Sequence, residues 1–218
     1  MGPFKLKRHM SNSYSLNTLM AYSGGLQDAY TFLLCGKVFA NTQTGNLAHI
    51  GMRLFSGDFK NILHYIIPVL SFAFGAFIAA ELRHYKQKKL HWRQVSVLVE
   101  IILLTIVAIV PMNPELSIAL VAITTGIQSL TFNKVGQFAY ASTFFTGNIR
   151  NTASAFSAYL HSHDSSHLKR IHVMLIVTTA FILGAGSEIL LCNILAKQSS
   201  LVSVGMLVIA FFMMNSRL

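Results

Sequence analysis

Six stretches of this chain, roughly residues 17–37, 61–82, 94–111, 116–134, 171–194 and 199–215, run close to the length of about 20 apolar residues that a helix needs to cross a bilayer. In water such a chain has no workable surface. Of its 218 residues 53% are hydrophobic and only 11% charged, about half the charged fraction of a soluble domain. Too few ionisable groups remain to coat the outside of a water-soluble body. A bilayer removes the difficulty, because the outer surface can then be apolar, provided the backbone satisfies its own hydrogen bonds within helices. The expected fold is an all-α integral membrane protein of one compact unit, without a substantial soluble domain.

Two further stretches, 39–56 and 140–160, are only moderately apolar. Each is interrupted by Thr-Gly-Asn and each carries an arginine, Arg53 or Arg150. They belong to a larger pattern. Ala21, Gly25 and Gln27 are echoed by Ala122, Gly126 and Gln128. Thr44-Gly45-Asn46 recurs as Thr146-Gly147-Asn148, and Phe72-Ala73-Phe74-Gly75-Ala76 as Phe181-Ile182-Leu183-Gly184-Ala185. Three echoes in one order point to a duplication. The chain divides into a tail (1–15), a first membrane repeat (16–112) and a second (113–218).

The formal charge of +10 does not point to nucleic acid, because the cations sit at the ends of apolar segments. Lys5, Lys7 and Arg8 precede the first, and Arg83, Lys86, Lys88, Lys89 and Arg93 share one loop. Lys and Arg are retained on the cytoplasmic side. If both Thr-Gly-Asn segments crossed, eight spans would put the loop 83–93 on the opposite side from the tail, against that rule. If both are re-entrant, six spans bring the tail, that loop, Lys134, Lys169, Arg170 and Arg217 to the cytoplasm, and leave Pro111–Glu115 outside. Six transmembrane helices plus two re-entrant or broken Thr-Gly-Asn segments is therefore the expected topology. Three crossings per half invert the repeats relative to each other, a common plan in transporters. The polar run Ser11–Ser15 argues against a cleavable signal peptide, and Leu6 against myristoylation at Gly2.

Two strings carry a family resemblance. Gly-Leu-Gln-Asp-Ala-Tyr-Thr-Phe-Leu (25–33) followed by Phe-Ala-Asn-Thr-Gln-Thr-Gly-Asn-Leu (39–47) resembles the YoaK family of bacterial membrane proteins. In the second half, Gly-Ile-Gln-Ser-Leu (126–130) and Ser-Thr-Phe-Phe-Thr-Gly-Asn (142–148) are similar to its Gly-x-Gln-Asn-Ala and Thr-Thr-x-x-Thr-Gly elements. Ser129 departs from the Asn often found there, and the His-rich insertion is a second departure. The resemblance implies six-span proteins of the bacterial inner membrane, with no established substrate or reaction.

Asp28 is the sharpest chemical signal, since a carboxylate in the middle of a span is costly unless it faces a polar interior. It can serve a site or lock helices together. Thr44, Gly45 and Asn46, with Thr146, Gly147 and Asn148, come next. Glycine frees the backbone from helical geometry, and Thr or Asn caps a new helix. A half-helix starting at mid-membrane would aim N–H groups and a positive dipole end at a central site. The alternative is that these residues mark tight crossings in ordinary spans. Gln27, Asn41 and Gln128 are expected in the same cluster. Glu100 and Glu188 are expected to form structural ion pairs with Lys37, Arg150 or Lys134. His161, His163, His167 and His172 read as a solvated loop and not as a metal site, and no cofactor is expected. Cys35 and Cys192 read as unpaired thiols. Small residues four apart (Ala21 and Gly25, Ala122 and Gly126, Gly75 and Ala79, Ala180 and Gly184) favour close helix contact, within the bundle or between copies in a homo-oligomer.

No phosphate loop, nucleophile elbow or zinc-protease helix is present in the sequence, so the chain is not read as an enzyme. The reading that follows is a transporter or channel-like protein with a polar site for a small solute or ion between the repeats. The alternative is a non-transporting assembly or regulatory subunit. The N-terminus is expected in the cytoplasm and the bilayer is the obligatory partner.

Overall fold

A computed structural model describes residues 12–84, 90–136, 138–140 and 145–215. The cations of the tail, Lys86, Lys88, Lys89 and Arg217, and the Ser-Thr-Phe of the second motif (142–144), lie outside the described residues. The described residues are all-α apart from one short hairpin and two 3-10 turns, Phe59–Asn61 and Ala196–Ser199. Its helices are α1 (Tyr14–Leu34), α2 (Gln43–Ser56), α3 (Leu63–His84), α4 (Trp92–Ile109), α5 (Pro114–Thr131), α6 (Phe145–Ser162), α7 (Ser165–Leu195) and α8 (Ser200–Asn215). The hairpin pairs β1 (Lys134–Val135) with β2 (Phe138–Ala139).

Local chemistry sets several of these starts. Ser13 caps α1 by accepting the Leu16 N–H at 3.2 Å. Asn113 caps α5 in the same way, with Pro114 at the first helical position where its missing N–H costs nothing. Asp164 caps α7, and α2 stops at Gly57, whose φ of 76° favours glycine.

Among the described residues, three helical stretches are long and apolar enough to cross a membrane: Phe59–His84, Trp92–Ile109 and Ser165–Met214, the last holding both α7 and α8. The sequence expectation of six such helices is met only in part. α1 and α5 have the length, but each carries a row of buried polar groups: Asn17, Ser23, Gln27, Asp28 and Thr31 on one, Ser117, Thr124, Thr125, Gln128 and Thr131 on the other. Large apolar side chains point outwards instead, among them Leu70, Phe74 and Phe77 on α3 and Ile182, Leu183 and Leu190 on α7. Polar inside and apolar outside is the distribution a bilayer rewards.

The helices pair α1 with α7, α3 with α5 and α4 with α8. Glycine makes the first two pairs possible. A Cβ on Gly25 would overlap the Phe181 carbonyl oxygen and lie 2.9 Å from the Ala185 nitrogen; one on Gly126 would overlap the Phe72 carbonyl oxygen and lie 3.0 Å from the Ala76 nitrogen. Gly184 meets the Tyr22 carbonyl and Gly75 the Ile123 carbonyl just as closely. Positions that echo one another in sequence thus make matching contacts, each helix touching one from the other half.

Hydrogen bonds fix the helix directions. Gly136 N–H donates to the Asn12 carbonyl at 2.7 Å, Gln128 Nε2 to the Met20 carbonyl at 2.8 Å, and Thr124 Oγ1 to Gln27 Oε1 at 2.9 Å. Ascending numbers on α1 meet descending numbers on α5, so these two helices are antiparallel. α1 and α7 are parallel: Tyr14 and Thr18 share a cavity with Lys169–Val177, while Gly25 meets Phe181 and Ala185.

Candidate functional site

After α1 the chain turns sharply through Gly36 (φ 81°) and Lys37 (φ 60°) and doubles back along the helix it has left. Ala40 N–H donates to Thr31 Oγ1 at 3.1 Å. Asn41 N–H donates to Asp28 Oδ1 at 2.9 Å, and Asn41 Nδ2 to the Gly24 carbonyl at 3.0 Å. Thr42 Oγ1 approaches Asp28 Oδ2 at 3.4 Å. Thr42 is the cap position of α2, so Asp28 sits at the start of that helix. The positive end of a helix dipole suits an anionic neighbour.

The start of α2 is bound up further. Asn46 Nδ2 donates to the Phe39 carbonyl at 2.9 Å and to Gln43 Oε1 at 3.0 Å. Gln43 Nε2 and, from α5, Thr125 Oγ1 both donate to the Ala40 carbonyl. α2 then runs for 14 residues, about 21 Å at 1.5 Å per residue. Its Arg53 pairs with Asp58, and a ring nitrogen of His64, at the start of α3, lies 2.9 Å from the Gly36 carbonyl oxygen. Hence α3 begins at the end of the bundle where α1 finished. The segment enters and leaves at one end.

The second Thr-Gly-Asn segment behaves likewise at the opposite end. Thr146 is the second residue of α6, as Thr44 is of α2. The Phe145 ring packs on Phe181, centroids 4.3 Å apart, half-way along α7. α6 then ends at Ser162, with only His163 and Asp164 between it and α7, so it covers only the first half of α7. Asn148 is buried and Thr146 exposed. Ser129, which echoes Asp28, bonds the Gly126 carbonyl of its own helix at 2.7 Å and does not reach outwards.

The predicted site residues therefore fall into three groups. Asp28, Asn41, Thr44, Gly45 and Asn46 gather where α2 starts. Thr146, Gly147 and Asn148 lie where α6 starts. Gln27 and Gln128 turn to the seam of α1 with α5 instead, away from the Asp28 group: Gln27 accepts from Thr124, and Gln128 donates to the Met20 carbonyl. Gln27 also lines a narrow crevice with Tyr30, Leu104, Val121, Glu188, Ser200 and Ser203, too tight for a water molecule. Neither that crevice nor the roomier cavity beside Tyr14 is bordered by Asp28, Asn46 or Asn148.

Sequence reasoning misplaced the two glutamates. Glu188 accepts from Ser199 Oγ at 2.5 Å and from Cys192 Sγ at 3.2 Å, and Glu100 is fully buried with neither carboxyl oxygen hydrogen-bonded among the described residues. Neither pairs with Lys37, Arg150 or Lys134; the ion pair seen among the described residues joins Arg53 and Asp58. Ser199 comes from the 3-10 turn Ala196–Ser199 that separates α7 from α8. The cue for it was three serines (199, 200, 203) in an apolar segment, all buried. Thr124 and Thr125 were similarly legible, one turn from Gln128 on α5. Among the described residues no three His, Cys, Asp or Glu side chains come together as a metal site, and both cysteines are free.

A family model described as "Protein of unknown function (DUF1275)" matches residues 16–213. No curated protein and no solved structure matches the chain.

Proposed function

The chain belongs to the DUF1275 family of proteins of unknown function, and from its geometry we propose that it is a multi-pass inner-membrane protein that moves a small solute or ion past the starts of two half-helices. One observation carries this reading. α2 and α6 enter the bundle from opposite ends, and each begins beside the middle of a long helix, at Asp28 of α1 and Phe181 of α7. Half-helices that start at mid-depth are how many transporters present helix termini to a substrate.

The topology proposed with it has six crossings, α1, α3, α4, α5, α7 and α8, in two inverted repeats, with the N-terminus in the cytoplasm. The antiparallel run of α1 against α5 and the return of α2 to the end where α1 finished support an odd number of crossings per half. The YoaK-like motifs support the bacterial inner membrane as the location.

A second reading has its own support. Asp28 spends both oxygens on the loop that starts α2, as a helix lock in a non-transporting assembly or regulatory subunit would.

Water access separates the two. Thr44 and Thr146 are both exposed on their half-helices. With Cys35 and Cys192 replaced by Ala, single cysteines at these two positions are treated with a small membrane-impermeant thiol reagent in proteoliposomes. Transport requires both to react at rates near those of cysteines at the helix ends, because a thiolate forms only where water reaches. Silence at both positions, with the end controls labelled, leaves the lock reading.

A further inference from the structure

Beside the start of α1 lies a cavity of about 230 Å³, walled by Tyr14 and Thr18 of α1, Val135 of the hairpin, and Lys169, His172, Val173, Ile176 and Val177 of α7. It has no part in the arrangement around Asp28. Its walls are aliphatic in the main: Val135, Val173 and Val177 are buried at its floor, while Ile176 is exposed at its side. An apolar cavity of about 150 Å³ already accepts hydrocarbon, and this one is larger.

Its rim has the opposite character. Lys169 and His172 both contribute to the wall and both are exposed. Lys buries its methylene stem along apolar surface and keeps its ammonium outside. The two lie one turn apart near the first residues of α7, level with the first residues of α1. A helix that begins here, next to a solvated turn at His163 and Asp164, has its first turns at the depth of lipid headgroups. Among the described residues no acidic side chain lines the cavity.

We propose that this cavity is a binding site for an anionic lipid, with one acyl chain among Val135, Val173, Ile176 and Val177 and the phosphate at Lys169 and His172. Both halves of the ligand are required by the site. The aliphatic volume has no affinity for a free phosphate, and the cationic rim favours an anionic headgroup over a zwitterionic one. Basic pockets between membrane helices at the membrane face recognise anionic headgroups on this principle. The inference is independent of transport, of the chain's orientation and of any role for Asp28.

Native mass spectrometry of the full chain, released from detergent with dioleoyl phosphatidylglycerol or dioleoyl phosphatidylcholine at equal concentration, tests it. The expected result is one retained phosphatidylglycerol, bound at least tenfold more tightly than phosphatidylcholine. Lys169→Gln should weaken it about fivefold, the share of one interfacial cation. Ile176→Trp should fill the mouth of the cavity and lower retention of both lipids; because Ile176 is exposed, the fold should survive, as checked by an unchanged melting temperature. Glycerol phosphate at the same concentration should not compete. Equal retention of the two lipids by the native chain overturns the proposal. So does full retention of phosphatidylglycerol by a normally melting Ile176→Trp variant, and competition by glycerol phosphate would reassign the site to a soluble anion.

Discussion

Gly184 and Gly186 stand two residues apart on α7, yet substitution by alanine should move stability in opposite directions. A Cβ at Gly184 would overlap the Tyr22 carbonyl oxygen and come within 3.0 Å of its carbon, whereas one at Gly186 has nothing within 4 Å. Carbon atoms in contact settle at about 3.5–4.0 Å, so α1 and α7 would have to separate by on the order of 1 Å along their closest approach. Forcing an extra methyl into a packed seam costs about 1–3 kcal/mol. Against this stands a gain of up to about 1 kcal/mol from replacing glycine inside a helix. Gly186→Ala keeps that gain without the penalty, so the two variants should differ by the penalty itself, about 1–3 kcal/mol. At this length each kcal/mol moves a melting temperature by about 2–4 °C. Melting followed by tryptophan fluorescence or thiol-dye reactivity in one detergent, at one scan rate, reads the difference. Gly25→Ala should follow Gly184→Ala, and Gly75→Ala and Gly126→Ala should do the same for the α3–α5 seam. If Gly184→Ala and Gly186→Ala melt together, α1 does not lie on α7 as described.

Two further outcomes follow from named hydrogen bonds. Asp28→Leu strands the N–H of Asn41, a fully buried residue, and should cost about 1–3 kcal/mol, while Asp28→Asn keeps an acceptor in place and should melt within about 1 kcal/mol of the native chain; equal melting of the two variants would remove Asp28 from the packing of α2. Asp164, outside the membrane segments, is held below its ordinary range chiefly by the Ser166 N–H and hydroxyl. Because its folded value is depressed, its capping of α7 is fully present above the ordinary aspartate range of about 3.9 and is lost as pH falls through the lower folded value. Amide exchange at Ser166 and His167 should therefore be pH-independent beyond its intrinsic rate until that acid range. Loss of protection nearer neutrality would show that Asp164 is not the cap.

The helices were legible because apolar runs leave little choice in a bilayer. The segment expected over 94–111 is α4 at Trp92–Ile109, and each Thr-Gly-Asn falls within the first turn of a helix of its own. The glycine seams were legible too, since small residues four apart admit a second backbone. What could not be read is which way a polar side chain turns. Gln27 and Asp28 are neighbours in sequence but lie about 100° apart around a helix of 3.6 residues per turn. One faces α5 and the other the loop before α2. Adjacency in the chain therefore misled, and the expected single cluster became three. For Glu188 the break between 194 and 199 was legible, but not that the turn Ala196–Ser199 folds Ser199 back onto Glu188.

The two half-helices share a plan but not a charge. α2 starts against Asp28, whereas the echo of that residue on α5 is Ser129, folded onto its own helix. The first turn of α6 contains no acidic residue. A hydrogen-bonded lock therefore does not by itself require a carboxylate, because α6 is set in place without one among the described residues. The positive end of α2, equivalent to about half a charge, faces Asp28, while among the described residues no acidic residue lies in the first turn of α6. Any solute moving between the two would leave a terminus matched to an anion and approach one already occupied by one. For a cation the order of preference reverses, although Asp28 already spends both oxygens on the loop before α2. Under the transport reading the asymmetry gives the two termini opposite ion preferences, which neither half, taken alone, would show.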